Sequence, residues 1–216
     1  MTDFKKIVLF GPQGSGKGTQ AERLSGFFGI PQLAPGNIFR KAVAEATDLG
    51  KKVELILKQG NLVPDEITNA IMKERLEQED CLGGFILDGY PRNKTQADAL
   101  DALTNVSHVL LFKIPDQESV HRLSQRRVCS HCGATYHLEF KKPVQENVCD
   151  FCGHNLYQRD DDKPAAISKR LKIFHQETEP LLVRYEQRAI LYTIDGLGPI
   201  AEVWQRIQDV FKQVHD

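Results

Sequence analysis

Short apolar runs punctuate the chain: Ile7-Val8-Leu9-Phe10, Phe85-Ile86-Leu87, Val109-Leu110-Leu111-Phe112 and Leu191-Tyr192-Thr193-Ile194. Each has strand length and is apolar on both faces, the pattern of strands buried in a parallel sheet. Pro31-Gln32-Leu33 reads as a briefer fifth strand. Between the runs apolar residues recur at three and four positions: Ala21, Leu24, Phe27 and Phe28; Ile38, Phe39, Ala42 and Val43; Val53, Ile56 and Leu57. Further helices are predicted over 64–78, where proline and two acids open the first turn, and over 94–103, 115–127 and 200–214. Strands alternating with helices predict an α/β fold, a five-stranded parallel sheet with helices on both faces. From 128 to about 157 helical spacing vanishes, and cysteine, glycine, histidine and aromatics take over; that stretch reads as an insertion.

The first strand runs into Gly11-Pro12-Gln13-Gly14-Ser15-Gly16-Lys17-Gly18-Thr19 and then into good helix formers. Glycines let the backbone fold round an anion, and the helix start adds its positive end. Lys17 reaches outer phosphates and Thr19 helps hold magnesium, the mechanics of a P-loop. Its usual pattern puts Ser or Thr directly after the lysine; here Gly18 intervenes. The run before Asp88 ends in a carboxylate, followed by Gly89-Tyr90-Pro91-Arg92. Ligands of open parallel sheets lie beyond the carboxyl ends of the strands, so Asp88 and Arg92 are expected to share a crevice with Lys17.

A chain of 216 residues suffices for one core with small insertions. Its net charge of -1 argues against bulk attraction to nucleic acid or an anionic membrane, so its arginines are expected to have local tasks. The apolar run near the N-terminus is too short for a secretory or membrane segment, and a cytoplasmic location is expected.

Cys129-x-x-Cys132 and Cys149-x-x-Cys152 have the spacing of a four-cysteine structural metal site, with Gly133 and Gly153 where such knuckles turn. Zinc is the first choice, closed tetrahedral and structural; four thiolates also accept iron or cobalt. Lys141 and Lys142 are opposed by Glu139, Glu146 and Asp150, which leaves no basic surface for nucleic acid. Cys81 reads as packing, Arg127 as structural and His121 as solvent-facing.

Together these features resemble adenylate kinase, in the long form whose lid carries a structural metal. The resemblance covers almost the whole chain. It rests on the P-loop, Asp88-Gly89-Tyr90-Pro91-Arg92, Arg122 with Arg126-Arg127, the doubled cysteine pairs, and Arg159-Asp160-Asp161-Asp162 followed by Lys169-Arg170. It implies a P-loop nucleoside monophosphate kinase fold with a core at 1–33, 64–125 and 163–216, a helical AMP clip at 34–63 and a metal-stapled lid at 126–162. It further implies reversible phosphoryl transfer from Mg-ATP to AMP, giving two ADP, by a monomer.

Carried over by that resemblance, Gly14, Ser15, Gly16, Lys17, Gly18 and Thr19 hold ATP phosphates. Arg122 and Arg126 bind ATP, and Thr135, Tyr136 and Gly198 touch it through the backbone. Arg40, Asn61, Leu62, Val63, Gly89, Tyr90, Pro91, Arg92 and Gln96 surround AMP, with Arg159 and Arg170 reaching in from the lid side. Thr19 and Asp88 place magnesium through water; Lys17, Arg92, Arg126, Arg159 and Arg170 stabilise the transferring group. Clip and lid closing over both nucleotides exclude water, and closure is the expected slow step. The acids at 160–162 are expected to pair with clip or core cations in one lid state. Where the family usually reads Ser-Thr-Gly-Asp this chain has Ala34-Pro35-Gly36-Asn37; Pro35 offers neither hydroxyl nor N–H, a difference of about 1–3 kcal/mol in acceptor binding. Gln96 favours adenine, because its amide donates and accepts along one base edge. Rival readings are a kinase with UMP or CMP as acceptor, and a zinc-ribbon regulator that uses ATP as a switch.

Overall fold

The computed structural model describes residues 5–59 and 61–213. The first four residues, Gly60 in the expected clip and the predicted helix end at Val214 lie outside them. Five strands form one parallel sheet: β1 (Lys5–Phe10), β2 (Gln32–Leu33), β3 (Gly84–Asp88), β4 (His108–Lys113) and β8 (Leu191–Asp195), in the order β2-β3-β1-β4-β8. Both neighbours of the central β1 are later strands, so the crevice opens at its carboxyl end, where the P-loop begins.

Alternation along β1 sends Ile7 and Leu9 to one face and Val8 and Phe10 to the other, all nearly inaccessible to water. Val8 and Phe10 join Leu87, Met72, Tyr90, Leu100 and Tyr185 beneath α4 (Asp65–Leu76), α5 (Lys94–Leu103) and α8 (Leu182–Gln187). Ile7 and Leu9 join Leu24, Ile86, Phe112 and Ile207 beneath α1 (Lys17–Phe28) and α9 (Ile200–Gln213). Each buried side chain of this size contributes about 1.5–3 kcal/mol, so the two-sided core fixes the sheet that carries the site.

Two segments stand apart. The helices α2 (Pro35–Ala44) and α3 (Asp48–Lys58) share a small core of Phe39, Val53 and Val63. The cysteine insertion is an antiparallel sheet of β5 (Arg126–Cys129), β6 (Thr135–His137) and β7 (Leu156–Tyr157) in the order β6-β5-β7. The helix predicted over 115–127 is corrected here: α6 (Asp116–Ser124) stops at Ser124, and Arg126 and Arg127 belong to β5. Their pairing with His137 and Tyr136 on β6 is a tertiary interaction that local periodicity does not carry.

Between the insertion and β8 lie α7 (Pro164–Ile173), a π-helical turn (Phe174–Thr178), a 3₁₀ turn (Glu179–Leu181) and α8, none predicted. Among the described residues no helix is long and apolar enough to cross a membrane.

Candidate active site

The P-loop leaves β1 through Gly14, whose φ of +83° suits glycine, and a Cβ there would stand 2.9 Å from the Ser119 carbonyl oxygen. Ser119, fully buried on α6, donates its hydroxyl hydrogen to the Gln13 carbonyl and pins the loop from behind. Lys17 opens α1, and its Nζ donates to the carbonyls of Gly11 (2.6 Å) and Pro12 (2.8 Å) and to Ser15 Oγ (3.2 Å). Asp88 Oδ2 lies 3.4 Å from where a Cβ on Gly18 would sit, which brings the β3 carboxylate beside the first turn of α1 and Thr19. The loop after β8 closes the cradle: Gly196 packs against Ser15, and its carbonyl accepts from Arg122 Nη1 at 3.0 Å. Arg122 is also held by Glu118 at 2.6 Å. Gly198 sits two residues further on, with φ of +94°.

Lys17 is the focus of a buried electrostatic cluster. Desolvation lowers its pKa to about 8; Asp88 opposes the shift, while Arg92, Arg170 and Arg126 reinforce it. Arg40 and Arg170 are likewise pushed below the ordinary guanidinium value, chiefly by burial, with neighbouring arginines adding to it. Among the described residues six cations, Lys17, Arg40, Arg92, Arg126, Arg159 and Arg170, thus share one field with the carboxylates of Asp88, Asp161 and Asp162. The surplus is a site made for anions.

The acids of the 160–162 run divide. Asp162 is completely buried and takes a bidentate pair from Arg126 (2.8 and 2.5 Å), with Arg170 Nη1 at 3.5 Å. Asp161 takes a bidentate pair from Arg159 (2.8 and 2.5 Å), with Arg170 Nη1 at 3.1 Å. Burial opposes its ionisation, yet Arg159 and Arg170 hold the carboxyl well below the usual range. Asp160 pairs outward with Lys163. Asp161 and Asp162 thus pair with Arg170 of the core, as expected, and with Arg126 and Arg159 of the insertion itself, while Asp161 and Asp160 also feel Arg40 and Lys58 of the 34–63 segment.

Beside the loop Arg40, Asn61, Leu62, Val63, Gly89, Arg92, Gln96 and Arg170, the residues expected around the acceptor, line one cleft, with Pro35 and Asp161 on its wall. Tyr90 and Pro91 are buried behind it, and Tyr90 Oη donates to Asn69 Oδ1 at 2.9 Å. Gln96 is anchored at both ends: Oε1 accepts from Arg92 N at 2.8 Å and Nε2 donates to Asp65 Oδ1 at 2.8 Å. One hydrogen and one lone pair remain for a base edge. Asp65, read from the sequence only as a first-turn acid of its helix, therefore also sets the orientation of Gln96. Arg40 Nη2 donates to Asn37 Oδ1 at 2.6 Å, and Arg92 Nε to the Gly89 carbonyl at 2.7 Å. Thr135 is exposed in the insertion sheet opposite Val128; Tyr136 beside it is buried.

The four cysteine sulfurs lie within 4.8 Å of one another, with Cys129–Cys152 at 3.4 Å and Cys132–Cys149 at 3.5 Å. Tetrahedral zinc with bonds of about 2.3 Å sets sulfurs about 3.8 Å apart, so this donor set fits the ion. Gly133 and Gly153, both at positive φ, turn the knuckles as expected. Cys81 is buried and His121 exposed, also as expected.

A family model for adenylate kinase matches residues 9–190. Over 213 residues the chain is 45% identical to an adenylate kinase of Archaeoglobus fulgidus, covering 96% of this chain and 98% of that protein. It is 46% identical over 209 residues to one of Bacillus licheniformis (94% and 96% covered), and 44% identical over 214 residues to one of Streptomyces avermitilis (96% and 97% covered). With a phosphate cradle, a convergent set of cations and an adjoining cleft on one parallel sheet, the chain belongs to the adenylate kinase family, and its activity is phosphoryl transfer between ATP and AMP.

Proposed function

We propose that the P-loop and Arg122 hold ATP, that the cleft behind Arg40, Arg92 and Gln96 holds AMP, and that the two phosphate chains meet among Lys17, Arg126, Arg159 and Arg170. The observation that carries this reading is the buried cation surplus lying between loop and cleft. Phosphoryl transfer spreads charge over equatorial oxygens and requires alignment and fixed cations rather than a protein nucleophile. Lys17 and the guanidinium forks supply that charge; carbonyl and carboxylate partners hold them at the site until phosphate oxygens replace those partners. Phosphate oxygens compete with Asp161 for Arg159 and Arg170. Thr19 and Asp88 would hold magnesium through water; the ion supplies charge neutralisation on the ATP phosphates.

The segments 34–63 and 126–162 act as clip and lid, and expel water when both nucleotides are in place. The four cysteines hold a structural zinc that stiffens the lid. Both nucleotides bind within one chain, so a monomer suffices, and the activity belongs in the cytoplasm, where adenine nucleotides are made and used.

The test is acceptor choice. With ATP as donor, AMP is expected to exceed GMP, CMP and UMP in kcat/KM by about 100-fold or more, because a base that leaves the Gln96 amide unmatched strands a buried polar group. Equal or better use of UMP would overturn the acceptor assignment. The lowered pKa of Lys17 adds a pH signature. Bound phosphates require the ammonium, so free protein above pH 8 must take up a proton on binding ATP. Affinity for ATP, measured by calorimetry, is expected to fall about fivefold from pH 8 to pH 9. An affinity flat across that interval removes Lys17 from the phosphate site.

A further inference from the structure

We propose that Tyr136 is a positioning residue for the metal of the four-cysteine site, acting through Cys149. The proposal rests on the reading that these cysteines hold a metal. The two cysteine knuckles repeat one backbone pattern. Cys129 N donates to the Ala134 carbonyl and Gly133 N to the Cys129 carbonyl; Cys149 N donates to the His154 carbonyl and Gly153 N to the Cys149 carbonyl. The first knuckle continues directly from β5, whereas the second follows an exposed excursion in which Val144 is 94% accessible. Pairing of β5 with β7 and the Ser130 N–H to the Asn155 carbonyl at 3.1 Å tether the residues after the second knuckle; Cys149 and Asp150 need a further hold.

Tyr136 supplies that hold from the middle of β6. Its ring is 1% exposed and packs with Cys129, Cys149 and Leu156 in the small lid core. Its hydroxyl donates to Cys149 Sγ at 3.5 Å and accepts the Asp150 N–H at 2.7 Å. One oxygen thus fixes both the sulfur and the backbone of the second knuckle, on a rigid side chain with few rotamers to lose. A hydroxyl aimed at a thiolate orients the ligand and draws off part of its charge, the task of groups that support metal ligands from behind. Because β6 also carries the backbone expected to face ATP, the same residue joins metal site and nucleotide site mechanically.

The test uses the full chain with Tyr136→Phe, which keeps the ring in the core and removes the oxygen alone. Zinc affinity is read by competition with a chromophoric chelator, and cobalt substituted for zinc reports the sulfur-to-metal charge-transfer band. The expected result is affinity lower by about 10–100-fold and a band at longer wavelength, because a sulfur relieved of an O–H donor gives up electrons more readily. A second variant, 3-fluorotyrosine in place of Tyr136, keeps ring and oxygen, makes the hydroxyl a stronger donor and moves the band the opposite way. Unchanged affinity and band position in the two variants, with one equivalent of metal in the unsubstituted chain, would overturn the role of Tyr136. An unsubstituted chain that binds no metal would instead overturn the four-cysteine reading itself.

Discussion

Lys17→Met is expected to lower kcat by about 10³ while leaving the thermal midpoint within a few degrees of the unsubstituted protein. The methionine keeps most of the apolar stem and loses only the ammonium. That group sits in a field of Arg92, Arg126 and Arg170, and burial already pushes its pKa down to about 8, so the folded state holds its charge at a disadvantage. A folded pKa below the unfolded one means that protonated Lys17 opposes folding at neutral pH, and that stability from this group rises as pH passes from about 8 toward the ordinary lysine value. Removing the charge therefore relieves the fold even as it removes a cation from the proposed phosphate site. A rate loss of 10³ corresponds to about 4 kcal/mol of transition-state stabilisation, within the range for one preorganised donor in a water-excluded site. Steady-state kinetics beside calorimetric melting separates the two effects. A variant that retains kcat within tenfold would remove Lys17 from the chemistry; one that loses rate and midpoint together would make its role structural.

The parts of this site that sequence carries are those set by local chemistry. A glycine-rich loop between strand and helix, and a carboxylate at a strand end, need only their neighbours to be recognised, and both lie at the carboxyl edge of the sheet. The strand over 191–195 and the helix over 94–103 are equally visible, because burial on one or both faces imposes its period directly.

What stays hidden depends on distant partners. A run of three acids normally marks a solvated surface, yet Asp162 has no accessible surface because Arg126, thirty-six residues earlier, lies against it. Stripping one partner from such a buried pair costs about 3–5 kcal/mol, so Asp162 is part of the architecture as much as Arg126 is part of the site. Asp65 is hidden likewise, thirty-one residues from the Gln96 amide it anchors. The region of α7 and α8 is a different case. Its buried positions Ile167, Leu171, Phe174, Thr178 and Leu181 recur at spacings of four and three, a helical period that runs through the π-helical turn at Phe174–Thr178 and that the sequence itself carries. The same turn lets Thr178 Oγ1 donate to the Arg92 carbonyl at 2.6 Å, tying the irregular stretch to the cleft that Arg92 lines.

Removing the metal is expected to unfold the lid without unfolding the core. The lid's own buried cluster is Cys129, Tyr136, Cys149 and Leu156, with Ala134 and Cys152 packed against it. Half of these side chains are the cysteines themselves, and so small a core cannot offset the conformational entropy of about thirty ordered residues. In such modules metal affinity is folding free energy. The core sheet draws on two larger clusters that do not include the insertion, and the base of the lid is pinned separately by Leu123, Ile167 and Leu171. Treatment with a thiol reagent and a chelator, or Cys149→Ser, should therefore expose 128–157 to proteases while the rest of the chain resists. The lid's own calorimetric transition should disappear while that of the core is kept. Activity should fall with it, since β6 and Arg126 on β5 depend on the same sheet. Zinc added back to the reagent-treated chain, once its thiols are freed, should restore both; the serine variant, one thiolate short, should recover only in part. Metal-free protein that melts as the loaded form does and resists cleavage in the lid would show that the strands and the Asp162 pairs hold the lid by themselves, and would leave the four sulfurs without a structural task.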